Sequence, residues 1–258
     1  MTVSSGIKAQ SLLAKGDPNP VEIINGHSDH PLLLICEHAG QGIPKRLGDL
    51  GISRSALDDH IGWDIGAEAV TRAMAQAVGA PAVIQRYSRL VIDCNRPNDA
   101  SDAMPQMSDG VEIPGNLNLD AAARAARVDE IFNPFQNEVA HFYEKFERRI
   151  VLSIHSFTPL MGGVSRPWEI GFLFRKDTQT STHLHRSLKE TNPELTIGMN
   201  DPYQIDEASD WFVLHHGEAR GIPHSLIEIR NDQIRSAEGQ AHWASILVNA
   251  VNRYLEEA

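Results

Sequence analysis

Cysteine is scarce in this chain: Cys36 and Cys94 are the only two among 258 residues. That excludes a disulfide framework and makes a reducing cytoplasm the simplest setting. Basic residues are also in deficit, with 23 Lys and Arg against 34 Asp and Glu, a net charge of -11. Such a balance argues against nucleic acid as a partner, which needs a basic stripe. The same field repels small anions at long range, so an acidic substrate requires local arginines. No apolar run approaches the roughly 20 residues of a membrane span, so no membrane partner is expected. Residues 1–16 lack the basic start and apolar stretch of a signal peptide. Absent too are a Gly-x-Ser-x-Gly elbow and a phosphate-binding glycine loop, which sets aside serine hydrolases and nucleotide enzymes. Cys36 lies inside an apolar run, where a thiol is inert, and this counts against a cysteine nucleophile. There is no internal repeat, low-complexity tract or linker, and a homo-oligomer is left open.

What is present alternates between strand and helix. Residues 1–30 are turn-rich and read as a lead-in with at most one short helix; residues 31–258 read as a single catalytic domain. Strands are expected at Leu32–Cys36, Ile150–Ile154, Glu169–Phe174, Leu195–Met199 and Ser225–Arg230, with Ala82–Arg86 and Leu90–Asp93 as a further pair. Helical spacing covers Asp64–Val78, Ser181–Lys189, Ala241–Leu255 and the long stretch Asp120–Arg149, which Pro134 should break or kink. Residues 95–118 are rich in Pro, Gly, Asp and Asn, a loop long enough to be functional or to close over a substrate. Strands interleaved with helices give an α/β fold, a three-layer α/β/α domain around a mixed central sheet.

Three of the apolar runs stop on polar residues of chemical use. Leu32–Cys36 runs into Glu37-His38-Ala39-Gly40, and Ile150–Ile154 into His155-Ser156. Glu228 sits inside Leu226-Ile-Glu-Ile-Arg230, sharing one face with Leu226 and Arg230. A carboxylate in an apolar strand is costly unless paired or set to work. Open α/β sheets bind ligands at the carboxyl ends of their strands. Two histidines and a carboxylate are a common catalytic zinc set. His38 and His155 supply the histidines, with Asp64 as the carboxylate and Glu37 its rival. Asp58, Asp59 and Asp64 also suit a helix start, which accounts for one or two of these acids but not all three. Arg89 and Asn95-Arg96 flank an apolar run and offer donors for a carboxylate, although solvated arginines are the commoner case. Arg166, Tyr203 and His216 lie in segments that either line a pocket or simply form turns and a helix end.

Taken together, these segments resemble the N-formylglutamate amidohydrolase family, from about Pro31 to Ile234. The matching pieces are Cys36–Gly40, Gly62–Asp64, Ser88–Pro97, Ile154–Phe157, Arg166–Trp168, Asn200–Tyr203 and, late in the chain, Gly221–His224 with Ile227–Arg230. The resemblance implies a fold like that of the zinc-dependent exopeptidases. It also implies zinc-dependent cleavage of a small anionic N-acyl amino acid such as N-formylglutamate, the alternatives being a metallopeptidase or deacylase for another acyl amino acid, or a non-catalytic anion-binding protein on the same fold. By the pattern of zinc carboxypeptidases, Glu228 in Glu-Ile-Arg is the general base and Asn95-Arg96 grips the substrate carboxylate, helped by Arg89. The position of the carboxypeptidases' glutamate ligand is Gln41 here, so the third ligand is sought elsewhere.

Overall fold

Residues 11–257 are described by a computed structural model. The strands are β1 (Val21–Ile24), β2 (Leu32–Cys36), β3 (Ala82–Gln85), β4 (Met107–Ser108), β5 (Val111–Glu112), β6 (Ile150–Phe157), β7 (Leu160–Met161), β8 (Val164–Ser165), β9 (Ile170–Leu173), β10 (Ile197–Met199) and β11 (His224–Arg230). The α-helices are α1 (Arg54–Asp58), α2 (Ala67–Val78), α3 (Ala121–Arg127), α4 (Asn133–Lys145), α5 (Thr178–Thr191) and α6 (Ala237–Glu257). Seven strands form one sheet in the order β1-β3-β2-β6-β11-β9-β10. The four central strands β3, β2, β6 and β11 run parallel, while β1 and β9 pair antiparallel with β3 and β11. The sheet is therefore mixed, as expected.

The central strands are mostly apolar because both of their faces are covered. Leu32, Leu34 and Cys36 of β2 point into one core, with Ile150, Leu152 and Ile154 of β6 and with α2, α5 and α6. Leu33 and Ile35 point the other way, into a second core with Val151, Leu226 and the aromatic side of α4. Phe132, Phe135 and Phe142 fill that second layer, each worth about 1.5–3 kcal/mol of burial. The result is three layers, and the polar residues Ser153, His155 and Glu228 alternate onto the second face.

Strand order also creates an opening. The chain leaves β2 for β3 on one side and returns to β6 on the other, so neighbouring crossovers diverge between β2 and β6. A crevice outside the carboxyl ends of strands at such a switch point is where α/β folds bind ligands.

Several local expectations need correction. The lead-in, as far as it is described, holds no helix; Val21–Ile24 is an edge strand paired with β3. Leu90–Asp93 is not a strand. Its backbone is satisfied instead by loop and side-chain partners: Asn116 donates to Leu90, Arg127 to Val91, and the amide of Asp93 bonds Ala103. Pro134 does not break the helix. It occupies the first turn of α4, where its missing N–H is harmless, and a π-helical turn at Val128–Phe132 carries the chain over from α3. Within residues 95–118 there is a small hairpin, β4–β5, and a single helical turn at Pro114–Asn116.

Candidate active site

The crevice is a cavity of about 430 Å³, a normal size for a small-molecule site. His38, Asp64, Arg89, Asn95, Arg96, His155, Tyr203 and Glu228 all line it. His38 follows β2, and Ala39-Gly40 lets the turn press against β3's extension. A side chain on Gly40 would meet the Arg86 backbone at 2.1 Å. Asp64 is placed by its own amide, which bonds the His38 carbonyl at 2.9 Å. His155 and Glu228 are register partners on the parallel strands β6 and β11. Beside Glu228, β9 contributes Gly171, whose missing side chain leaves room for the Asp201 carbonyl; a Cβ there would sit 1.9 Å away. That contact brings Tyr203 to the mouth of the cavity.

Three atoms converge at the floor. His155 Nδ1 lies 3.1 Å from His38 Nδ1 and 2.9 Å from Asp64 Oδ2, and His38 Nδ1 lies 3.4 Å from the same oxygen. The other nitrogen of each ring faces acceptors. His38 Nε2 donates to Asp93 Oδ1 at 2.6 Å, while His155 Nε2 contacts Ser153 Oγ at 2.7 Å and Glu37 Oε2 at 3.2 Å. With Nε2–H so committed, each Nδ1 offers a lone pair to the same point as a carboxylate oxygen. Three buried acceptors around one point require a cation there, either a proton or a metal. A tetrahedral ion with bonds of about 2.0–2.1 Å has ligand–ligand edges of about 3.3–3.4 Å, close to those observed. Carboxylates behind ligand histidines are likewise the usual outer arrangement of metal sites. His38, Asp64 and His155 therefore fit a divalent metal, zinc included.

The electrostatics agree. Burial opposes charge on Asp64, but the two imidazoles outweigh it and hold its carboxyl well below the usual range. Burial likewise disfavours charge on His155, yet its bonds to Asp64 and Glu37 raise its pKa well above that of a free histidine. Asp93 is held low, against burial, by His38 and Arg89. Arg89 spans Asp64 and Asp93 at 3.3 and 2.7 Å, fastening the two acids together. Glu37, the rival third ligand, receives the Ser153 hydroxyl at 2.5 Å and backs the far side of His155. Glu228 differs from all of these. Its Oε2 is buried with no hydrogen-bond partner, and burial pushes the carboxyl up to about 7, with His155 pulling the other way.

Other expected residues behave differently. Arg96 lines the cavity and pairs through Nε with the exposed Asp102 at 3.2 Å. Asn95 lines it too, but its side chain is engaged internally: Nδ2 donates to Asp210 at 2.8 Å, and Oδ1 accepts the amides of Trp211 and Phe212. Those bonds tie the backbone next to Arg96 to the start of the π-helical turn Phe212–Gly217. Arg166 stands behind Tyr203, bonded to its hydroxyl at 2.9 Å. His216 does not reach the cavity. It is buried against Tyr143, and its Nε2–H donates to Gln136, whose own amide is spent on the Cys94 carbonyl.

His216 has a consequence of its own. Its Nδ1 is buried without a partner, so a second proton would find no acceptor, and burial pushes the pKa down to about 3. The unfolded chain takes up that proton near pH 6.5, whereas the folded chain refuses it until about pH 3. Folding stability attributable to this group is thus whole above pH 6.5 and falls by about 1.4 kcal/mol per unit as pH drops below it. Denaturant midpoints measured from pH 7 to 4.5 should decline more steeply in the wild type than in His216→Gln; parallel curves would refute this.

Composition and patterning did not single out Asp93 or Ser153. Ser153 is two residues before His155 on one strand, so alternation alone places it on the same face. Asp93 ended a segment expected to be a strand, and nothing local linked it to His38, 55 residues earlier.

No curated protein sequence matches the chain significantly. The structure of gene product Atu2144 from Agrobacterium tumefaciens is 36% identical, with TM-score 0.91 over 95% of this chain and 98% of that one. N-formylglutamate amidohydrolase from Ralstonia eutropha JMP134 shares the fold at 20% identity and TM-score 0.64, covering 93% of this chain and 98% of that one. The family profile for N-formylglutamate amidohydrolase matches residues 30–235, and the chain belongs to that amidohydrolase family.

Proposed function

We propose that this amidohydrolase is metal-dependent and cleaves the amide of a small N-acyl amino acid, the class to which N-formylglutamate belongs. The observation that carries the reading is the meeting of three buried lone pairs, from His38, His155 and Asp64, with the unpartnered Glu228 oxygen in one cavity. A divalent cation, zinc by the His-His-Asp donor set, would activate a water molecule and polarise the acyl oxygen when held there.

The side chains divide the remaining work. Glu228 accepts the water proton on Oε2, the oxygen that no other group occupies. With its pKa pushed up to about 7, it is basic enough to take that proton and acidic enough to give it up. As water oxygen bonds to the acyl carbon and the carbon–nitrogen bond breaks, the same group delivers the proton to the departing amine. Arg96 receives the substrate carboxylate by exchanging its exposed partner Asp102. Arg89 keeps Asp64 and Asp93 aligned, and Tyr203, steadied by Arg166, closes one side of the mouth. Asn95 positions Arg96 through the backbone and does not itself bind substrate.

The direct test is hydrolysis of N-formyl and N-acetyl amino acids by zinc-loaded protein, followed by release of the amine. Absence of turnover across the panel would refute the reading. Within it, Arg96→Ala should raise KM about 10- to 100-fold, the worth of a charge-assisted contact, with a smaller change in kcat. An unchanged KM would remove Arg96 from substrate binding.

A further inference from the structure

The charges that line the cavity are unevenly divided. Among the described residues, six carboxyl groups face it, those of Asp64, Asp93, Asp102, Asp109, Asp210 and Glu228, against two guanidinium groups, Arg89 and Arg96. Arg89 is already spent on Asp64 and Asp93. Arg96 alone has a partner it can release, because the Asp102 side chain is 59% exposed. His60 is held between Asp59 and Asp109 at 3.1 and 3.2 Å, and Arg166, behind Tyr203 and outside the lining, is engaged with the Tyr203 hydroxyl and the Met161 sulfur. Among the lining groups the cavity thus has one cation, Arg96, free to take a substrate carboxylate.

One side of the remaining wall is apolar, although Ser108, Ser156, Gln204 and Ser209 also line the cavity. Leu226 stands on the same strand face as Glu228, two residues and about 7 Å away, and pairs across to Leu173 of β9. Ile205 continues this patch on the loop after Tyr203, and Met161 and Met107 extend it to the mouth from the two small hairpins. Met107 is 62% exposed and Met161 39%, an unusual rim for a cavity built for a dianion.

Building on the amidohydrolase reading above, we infer that the preferred substrate carries a single carboxylate and an apolar side chain, which lies on Leu226, Leu173 and Ile205 while Arg96 holds the carboxylate. A second carboxylate, as in glutamate, would be placed among apolar groups and acids with no lining cation free to pair it, a costly burial. The specificity of this chain then rests on Leu173, Ile205 and Leu226, not on the metal-facing residues.

The test compares kcat/KM for N-formyl-L-leucine, N-formyl-L-methionine, N-formyl-L-glutamate and N-formyl-L-lysine on zinc-loaded protein. Equilibrium binding of the same compounds to Glu228→Gln, by calorimetry, reads recognition apart from turnover. Leucine and methionine substrates should exceed the glutamate one by about a hundredfold in both measurements, within the range that buried polar mismatch produces. Ile205→Arg, at a half-buried loop position, should narrow that ratio at least about tenfold by supplying the missing cation. Equal or better use of the glutamate or lysine compound would overturn this inference and leave the amidohydrolase reading standing. Hydrolysis of none of the four would overturn both.

Discussion

Glu228→Gln should lower kcat by about 10²–10⁴-fold while the protein still binds one metal ion per chain. The size of the effect follows from what the substitution changes. Glutamine keeps the shape of the side chain but has no carboxylate to accept a proton, so water would attack without a base and the amine would leave without an acid. Nothing else should be lost. The oxygen concerned has no hydrogen-bond partner in the fold, and neither Asp64 nor the two histidines depend on it. Thermal stability should therefore be retained, and burial of a neutral amide in place of a group pushed up to about 7 is itself not unfavourable. Turnover close to the wild-type rate in a metal-replete variant would show that the general base is another residue.

The second large effect is expected at the metal. His38→Ala and His155→Ala should each reduce bound zinc, measured by mass spectrometry of purified protein, from about one ion per chain to a small fraction. Asp64→Asn should do the same. Glu37 and Asp93 face the far nitrogens of His155 and His38, and Asp93 also holds Arg89 against Asp64, so Glu37→Gln and Asp93→Asn should weaken affinity about 10- to 100-fold without abolishing it. This contrast separates the two carboxylates that composition left in competition. Should Glu37→Gln empty the site and Asp64→Asn leave it full, the assignment would have to be reversed. His155→Ala also strands Glu37 and Asp64 in the interior, so circular dichroism of each variant belongs with the metal analysis.

The three ends on which the chemistry hangs were readable because central parallel strands are covered on both faces. Leu32–Cys36, Ile150–Ile154 and Ser225–Arg230 are mostly apolar for that reason, so the polar residues that end or punctuate them stand out. Where backbone partners come from far away, the local pattern misled. Leu90-Val91-Ile92 has the composition of a strand, but Asn116 and Arg127 take its carbonyls and no ladder forms. Edge strand β1 was missed because four residues, only one of them fully buried, carry almost no signal between turns. Asn95 and His216 have residue types suited to a ligand, and only the fold reveals that Asp210 and Gln136 have already claimed them.

The donor atoms of the metal-facing cluster are drawn from widely separated parts of the chain: His38 and Asp64 are 26 residues apart, Asp64 and His155 91, and His38 and His155 117. In an unfolded chain these groups do not meet, so a cation has almost no affinity for it. Mass action would then make an ion bound there a thermodynamic clamp across the switch point of the sheet. Free metal at a hundred times its dissociation constant would add about 2.7 kcal/mol to the resistance of the whole domain to unfolding. The melting temperature of this protein should accordingly follow the metal concentration of the buffer, and a chelator should lower it before any assay of activity is run.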